Sequence, residues 1–239
     1  MKNLIWNFFY NLGYDISRAR KSRFTTGGLN YEVDPCSVGR TPQGEMTAQG
    51  AIAMIKERQL RDLKILDICC GVGIVGLTIF SRLGKEAIVK HVALADINIF
   101  NLNSLRRTLA VNRLDHLLGD RISCYLSEGL SHIPRGEKFD LIVSNPPHYF
   151  APDRTKDGLS PGRLGTYDAG WSFHKSFYDE CHHYLTNRGE VWFLENSAGA
   201  TEEVLLPFIE ANGSLRYEKQ VREPLDPGFF WMITRKEQA

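Results

Sequence analysis

The chain has 239 residues, 43% of them hydrophobic and 24% charged, and 29 basic against 28 acidic side chains leave a formal net charge of +1. This fits one large globular domain with a small appended piece, and the balanced charge excludes a strong overall field toward nucleic acid or an anionic membrane. Five cysteines without a Cys-x-x-Cys pair argue against a disulfide framework or zinc cluster, and no apolar run is long enough for a membrane span. The N-terminus has no small-residue cleavage site, so the expected compartment is the cytoplasm.

In chain order, Leu4, Ile5, Phe8, Phe9 and Leu12 recur at helical spacing and predict an amphipathic first helix that Gly13 ends. A basic stretch with Arg18, Arg20, Lys21 and Arg23 runs into Gly27-Gly28 and reads as a lid or a solvated connector. An irregular segment from Asp34-Pro35 to Pro42 precedes a helix from Gly44 to Leu60. Residues 1–60 are thus expected to be a helical N-terminal extension or lid, and 61–239 the main domain.

From Lys64 the pattern becomes regular. Lys64–Ile68, His91–Ala95, Ile122–Leu126, Leu141–Ser144 and Val191–Leu194 are short apolar runs suited to parallel strands covered on both faces. Helical segments over Val75–Leu83, Leu102–Asn112 and Trp171–Leu185 separate them. After a helix near Thr201–Asn212, the runs Leu215–Val221 and Phe229–Thr234 flank a Pro/Gly turn and read as a hairpin. The alternation predicts an α/β fold with a doubly wound, mostly parallel seven-stranded sheet and an antiparallel C-terminal hairpin.

Two strand ends carry the chemistry. The run Phe139-Asp140-Leu141-Ile142-Val143-Ser144 meets Asn145-Pro146-Pro147-His148, and a proline pair cannot continue a central ladder. The chain leaves the sheet at Asn145, with the Asn145 amide and the Pro146 carbonyl free to accept from a donor group. The run Ile65–Ile68 meets Cys69-Cys70-Gly71-Val72-Gly73-Ile74-Val75-Gly76, a glycine turn that lets a ligand approach the backbone at a helix start. Asp96, about 20 residues beyond, is placed to accept ribose hydroxyls. A nicotinamide-dependent oxidoreductase uses the same pieces. Asp67 inside the turn tells against it, because a carboxylate repels a pyrophosphate and suits a cationic ligand.

Asp67-x-x-Cys70-Gly71-x-Gly73, Ala95-Asp96, Ser127-Glu128-Gly129-Leu130 and Phe139 to His148 resemble, in order and spacing over about residues 40–200, the motifs of class I S-adenosylmethionine-dependent methyltransferases. The similarity is greatest to the Asn-Pro-Pro-Tyr group, which methylates planar nitrogens, and within it to the glutamine N-methyltransferase branch. Tyr167-Asp168-Ala169-Gly170 and Leu194-Glu195-Asn196 resemble later segments of that branch. The resemblance implies a Rossmann-like methyltransferase fold with S-adenosyl-L-methionine as cofactor. It implies Asp67, Cys69, Gly71 and Gly73 at the methionine end, Asp96 at the ribose, Ile97 beside the adenine, Glu128 and Gly129 at the adenine edge, and Asn145 beside both cofactor and target. Asn145 and the Pro146 carbonyl would accept from the target NH₂, and His148, where the group has tyrosine, would stack on its plane as a neutral ring.

Pro147, Tyr149, Thr47 and His174 are weaker candidates for the acceptor pocket. Cys181-His182-His183 lacks the i, i+4 spacing and third ligand of a metal site, so no metal is expected. The expected activity is N-methyl transfer to a planar amide, amidine or amine nitrogen of a protein glutamine or a small biosynthetic intermediate. A nucleobase amino group of RNA or DNA is the alternative acceptor, and a NAD-dependent oxidoreductase or a catalytically silent cofactor-binding protein is the alternative of another class. No membrane partner is expected, and the sequence does not specify an oligomeric state.

Overall fold

The computed structural model describes residues 23–37, 41–151, 165–211 and 213–237. The expected first helix and the basic run from Arg18 to Lys21 lie outside these residues.

The described residues open with a hairpin of β1 (Arg23–Thr26) and β2 (Leu29–Glu32), then α1 (Pro42–Glu57), β3 (Leu63–Ile68), α2 (Ile74–Leu83), β4 (Val89–Asp96) and α3 (Ile99–Val111). Next come β5 (Ile122–Leu126), β6 (Phe139–Ser144), the short β7 (Tyr149–Ala151) and β8 (Tyr167–Ala169), and α4 (Ser172–Glu180). The described chain finishes with β9 (Leu185–Asn196), α5 (Glu202–Glu210), β10 (Leu215–Arg222) and β11 (Phe229–Lys236).

The main sheet is seven-stranded in the order β10-β11-β9-β6-β3-β4-β5, parallel except where β11 pairs antiparallel with both β9 and β10. Its strands alternate between two cores, as the two-residue period of a strand requires. Ile65, Leu141, Val143, Trp192 and Leu194 face one core with α1, α2 and α3. Leu66, Ile142, Val191 and Phe193 face the other, with Phe177 and Tyr178 of α4 and Leu205 and Ile209 of α5. Both faces are covered, which is why these strands read as continuous apolar runs. Truncating a filled position such as Phe139, fully buried, to alanine costs about 3–5 kcal/mol.

Within the extension, residues 23–32, expected as part of a lid or solvated connector, form a β-hairpin, while the expected helix from Gly44 is present as α1. Gly27 and Gly28 have φ of 60° and 83°, the left-handed conformation that a two-residue hairpin turn demands. A Cβ on Gly27 would stand 2.3 Å from the Thr78 hydroxyl oxygen, so the turn lies hard against α2. Tyr31 and Leu29 are buried in the same core as α1 to α3. The free edge of β2 meets a helix: the N–H groups of Asn30, Glu32 and Asp34 donate to Asn112 Oδ1, Thr108 Oγ1 and Ser104 Oγ at 3.0, 3.3 and 2.7 Å. Those acceptors recur every four residues along α3 and its C-terminal end, one helical face.

β9 is also longer than its apolar run, beginning at Leu185 rather than Val191. A further two-stranded parallel pair, β7 with β8, follows the proline turn.

Candidate functional site

Strand order reverses between β3 and β6, so the connections after these two strands diverge and leave a crevice at their carboxyl ends. The register sets Asp67 opposite Val143, which brings the glycine turn and Asn145 to the same end.

Each wall is held by hydrogen bonds that the sequence dictates locally. Gly73 caps α2 with φ of 85°, and a Cβ there would stand 2.7 Å from Leu105 Cδ1. It offers no side-chain cap, and Asp67 serves instead, its Oδ2 accepting from Gly76 N–H at 2.7 Å. Asp67 is buried and its Oδ1 has no protein partner. Burial raises its carboxyl to about 8 although the Gly76 N–H opposes this. Cys69, also in the left-handed region at φ 56°, begins the turn. Asp96 ties the turn to the next strand: Oδ2 accepts from Gly71 N–H at 2.8 Å, and Oδ1 from Asn98 N–H and the Asn101 amide at 2.8 and 3.0 Å. Burial pushes the Asp96 carboxyl up while these donors pull it down. A carboxylate has about four acceptor positions, so Oδ2 keeps room for one more hydroxyl.

The cleft is lined by Cys69, Gly71, Asp96, Ile97, Glu128, Gly129, Asn145 and Pro147, eight of the residues expected there. Asp67 and Gly73 support the turn from behind it. Other expected residues stand elsewhere. Thr47 is fully buried within α1, its hydroxyl donating to the Gln43 carbonyl, and does not line the cleft. The Pro146 ring is buried and is not part of the lining, which leaves its main-chain carbonyl as the group in question. Tyr149 lies beside the cleft, its ring 6.1 Å from that of the lining residue Tyr167. His174 is fully buried.

His148 departs from the expected stacking position. Its ring is 7% exposed and packs edge-on against Phe229 at 5.5 Å. Both nitrogens are engaged: Nε2 lies 3.1 Å from Asn145 Oδ1, and Nδ1 lies 3.3 Å from Glu195 Oε2. Glu195 Oε1 then meets His174 Nε2 at 3.2 Å, and His174 Nδ1 meets Asp168 Oδ2 at 2.7 Å. Burial lowers the affinity of His174 for a proton, but Glu195 and Asp168 outweigh burial and raise it to about 9. Burial likewise works against the Glu195 carboxylate, and the two histidines hold it below its ordinary range. The physical reason for the departure is that a buried ring with two polar nitrogens goes where both find partners.

Sequence reasoning missed Asn98, Asn101 and Ser172 as lining residues, and it met Asp168 only within a motif, without a role. Asp168 carries a local signal, since an acid before a helix start can cap it: its Oδ1 accepts from Phe173 N–H at 2.9 Å.

The donor set decides what the cleft fits. Among the described residues lining it there are three carboxylates, Asp96, Glu128 and Asp168, and no Lys, Arg or His. That lining favours a ligand carrying positive charge and disfavours a pyrophosphate, which sets aside the dinucleotide alternative. S-adenosylmethionine, cationic at both sulfonium and ammonium, matches it.

Comparison with known proteins agrees. Residues 48–158 match the model of the methyltransferase small domain. A release factor glutamine methyltransferase of Clostridium botulinum is 33% identical over 122 residues, 51% of this chain and 40% of that protein. Ribosomal RNA small subunit methyltransferase C of Haemophilus influenzae is 30% identical over 134 residues, 56% of this chain and 32% of that protein. The chain thus spans less than half the length of these curated relatives. A Thermus thermophilus 16S rRNA N2 methyltransferase, solved with AdoMet and guanosine, superposes with a TM-score of 0.61 at 15% identity, over 90% of this chain and 50% of that one. No helix among the described residues is long and apolar enough to cross a membrane. Residues 48–158 thus match a methyltransferase small domain, and the chain shares the Rossmann-like fold of solved methyltransferases.

Proposed function

We propose that the chain is an S-adenosylmethionine-dependent N-methyltransferase acting on a planar nitrogen of a protein glutamine amide or a small-molecule intermediate. The observation that carries this reading is a cleft whose described lining has three carboxylates and no basic side chain and ends on Asn145 and Pro147. Asp96 would take a ribose hydroxyl, Glu128 and Ile97 the adenine, and the Gly71 turn the methionine part, with the orphaned Asp67 oxygen behind it. When bound, the cofactor supplies an electrophilic methyl group on a sulfonium.

The residues of the turn do the rest. An amide nitrogen is a poor nucleophile because its lone pair is delocalised. The Asn145 side-chain oxygen and the Pro146 carbonyl accept its hydrogens, favour pyramidalisation, and stabilise the positive charge that develops on nitrogen. The glutamine methyltransferase among the relatives supports a protein amide as acceptor. A nucleobase amino group is the second reading, favoured by Phe150, 54% exposed with its ring 6.0 Å from that of Trp171 beside the cleft.

The test is incubation with methyl-labelled S-adenosylmethionine and protein, RNA and small-molecule fractions of an extract. Label in protein or small molecules supports the first reading, and label in RNA alone replaces it with the second. Asn145→Ala is expected to bind S-adenosylmethionine as the wild type does while transfer falls at least about 100-fold. A variant retaining full transfer removes the turn from the mechanism.

A further inference from the structure

Six carboxyl side chains are buried among the described residues: Asp67, Asp96, Asp168, Glu190, Glu195 and Glu223. Five of them have two or more hydrogen-bond partners. Glu190 has two arginines and an indole N–H, and Asp96 has the N–H groups of Gly71 and Asn98 with the Asn101 amide. Asp67 has one donor, the Gly76 N–H at Oδ2, while Oδ1 has none and the residue is 1% exposed.

The described groups that act on Asp67 include no base. Val143 of β6 and Leu94 of β4 flank it in the sheet, and Gly76 of α2 lies against its Cβ. Tyr31 of β2 and Cys69 and Cys70 of the turn feel its charge. Burial pushes that phenol and both thiols up, so they stay uncharged near neutrality. The charges that remain are acidic: Asp96 at the end of β4, and Glu45 of α1, which acts on Tyr31 as Asp67 does. A buried carboxyl with one donor and acidic neighbours takes up a proton rather than hold its charge, in keeping with its rise to about 8. Asp67 also supports the glycine turn, where a cationic ligand brings the countercharge that the protein does not.

We propose that Asp67 holds a proton in the free protein near neutral pH and releases it when the cationic cofactor binds. This rests on S-adenosylmethionine as the cofactor. The O–H bond breaks with its electron pair kept on the carboxylate, and the proton goes to solvent. Proton and cofactor thus compete for one carboxylate, so affinity rises with pH up to about 8, the value at which the free carboxyl loses its proton.

Calorimetry of S-adenosylmethionine binding to the full chain, in buffers of different ionisation enthalpy, counts the protons. At pH 6.5 an α-ammonium, ordinarily near 8, keeps its own charge. At least about half a proton is expected to leave per cofactor bound. Asp67→Asn keeps an oxygen for the Gly76 N–H and cannot ionise, so its release is expected to be near zero. From pH 6 to 7 the wild-type affinity is expected to rise about tenfold and that of Asp67→Asn to stay nearly level. Where the variant does not fold, the ¹³C shift of the wild-type Asp67 carboxyl reads the same change, protonated when free and ionised at saturation. Binding without proton release, or equal release from Asp67→Asn, overturns the proposal and leaves the cofactor reading standing. No binding at any pH overturns both.

Discussion

Two carboxylates five residues apart on β9 invite comparison, because both are buried and each is satisfied differently. Glu190 faces the core under α1, where Arg58 grips it with two nitrogens at 2.6 and 2.7 Å, Arg235 binds it at 2.6 and 3.1 Å, and Trp192 Nε1 donates at 2.7 Å. Burial alone would raise this carboxyl, but Arg58, Trp192 and Arg235 hold it at about 2. Glu195 faces the opposite core, under α4, and its partners are two histidines. Arginine never gives up its proton in a protein, whereas imidazole has a movable proton and two tautomers. The end of the strand far from the cleft is thus fastened by groups that cannot change state. The end beside the cleft is fastened by groups that can, and these reach Asn145, the residue proposed to meet the acceptor.

The largest expected effect breaks the static side. Glu190→Ala leaves Arg58 and Arg235 without their shared partner, and a loss of about 3–5 kcal/mol in denaturant unfolding is expected. Methyl transfer per folded molecule should be unchanged. A loss below about 1 kcal/mol would mean that the arginines find water instead and that the clamp is not structural.

Next in size is a pH effect that separates the two ends. His174 has its folded value raised to about 9 from an ordinary 6.5. A raised base contributes stability that is fully present below the ordinary value and is lost as pH rises through the folded one, here on the order of 3 kcal/mol between about 6.5 and 9. Glu190, depressed to about 2 from 4.5, behaves oppositely: its contribution is present above the ordinary value and fades as pH falls toward 2. Asp67, raised to about 8 from 3.8, costs stability progressively between those values, so the His174 part is read above pH 8. Urea midpoints should fall between pH 8 and 9.5 in both the wild type and His174→Gln, because burial also holds the thiols of Cys69, Cys70, Cys124 and Cys181 up. The fall should be steeper in the wild type. Equal slopes in both would detach His174 from the effect. The smallest change is Trp192→Phe, which removes one N–H from Glu190 together with the buried volume of the indole's five-membered ring. About 2 kcal/mol is expected, and no loss at all would mark that bond as redundant.

The parallel sheet, the glycine turn, Asp96 and the proline turn were legible because each is a short run whose period or residue type acts locally. The hairpin was not. Arg23–Thr26 alternates exposed and half-buried residues, so its polar letters resemble a solvated connector. The signal lay in Leu29, Tyr31 and Val33, alternating and buried after a Gly-Gly turn. The start of β9 was hidden for a similar reason, since Thr186-Asn187-Arg188-Gly189 has turn composition yet continues the strand. His148, Asp168, His174 and Glu195 each drew notice singly. Their joining spans up to 47 residues of sequence, and only tertiary packing reveals which nitrogen meets which oxygen.

The seam between β2 and α3 carries one last consequence. A helix brings a side chain back to the same face every four residues, about 6.0 Å, while a strand repeats its outward N–H every two residues, about 6.6–6.8 Å. Two rulers with unequal divisions stay in register only briefly. The mismatch grows by about 0.7 Å per rung, and the three rungs at Asn30, Glu32 and Asp34 sit within that tolerance. A fourth would miss its acceptor by the better part of a hydrogen bond's reach. The docked length of the hairpin is therefore measured by the helix beside it, like marks on a vernier, and lengthening β2 by two residues would add a strand turn with nothing to hold.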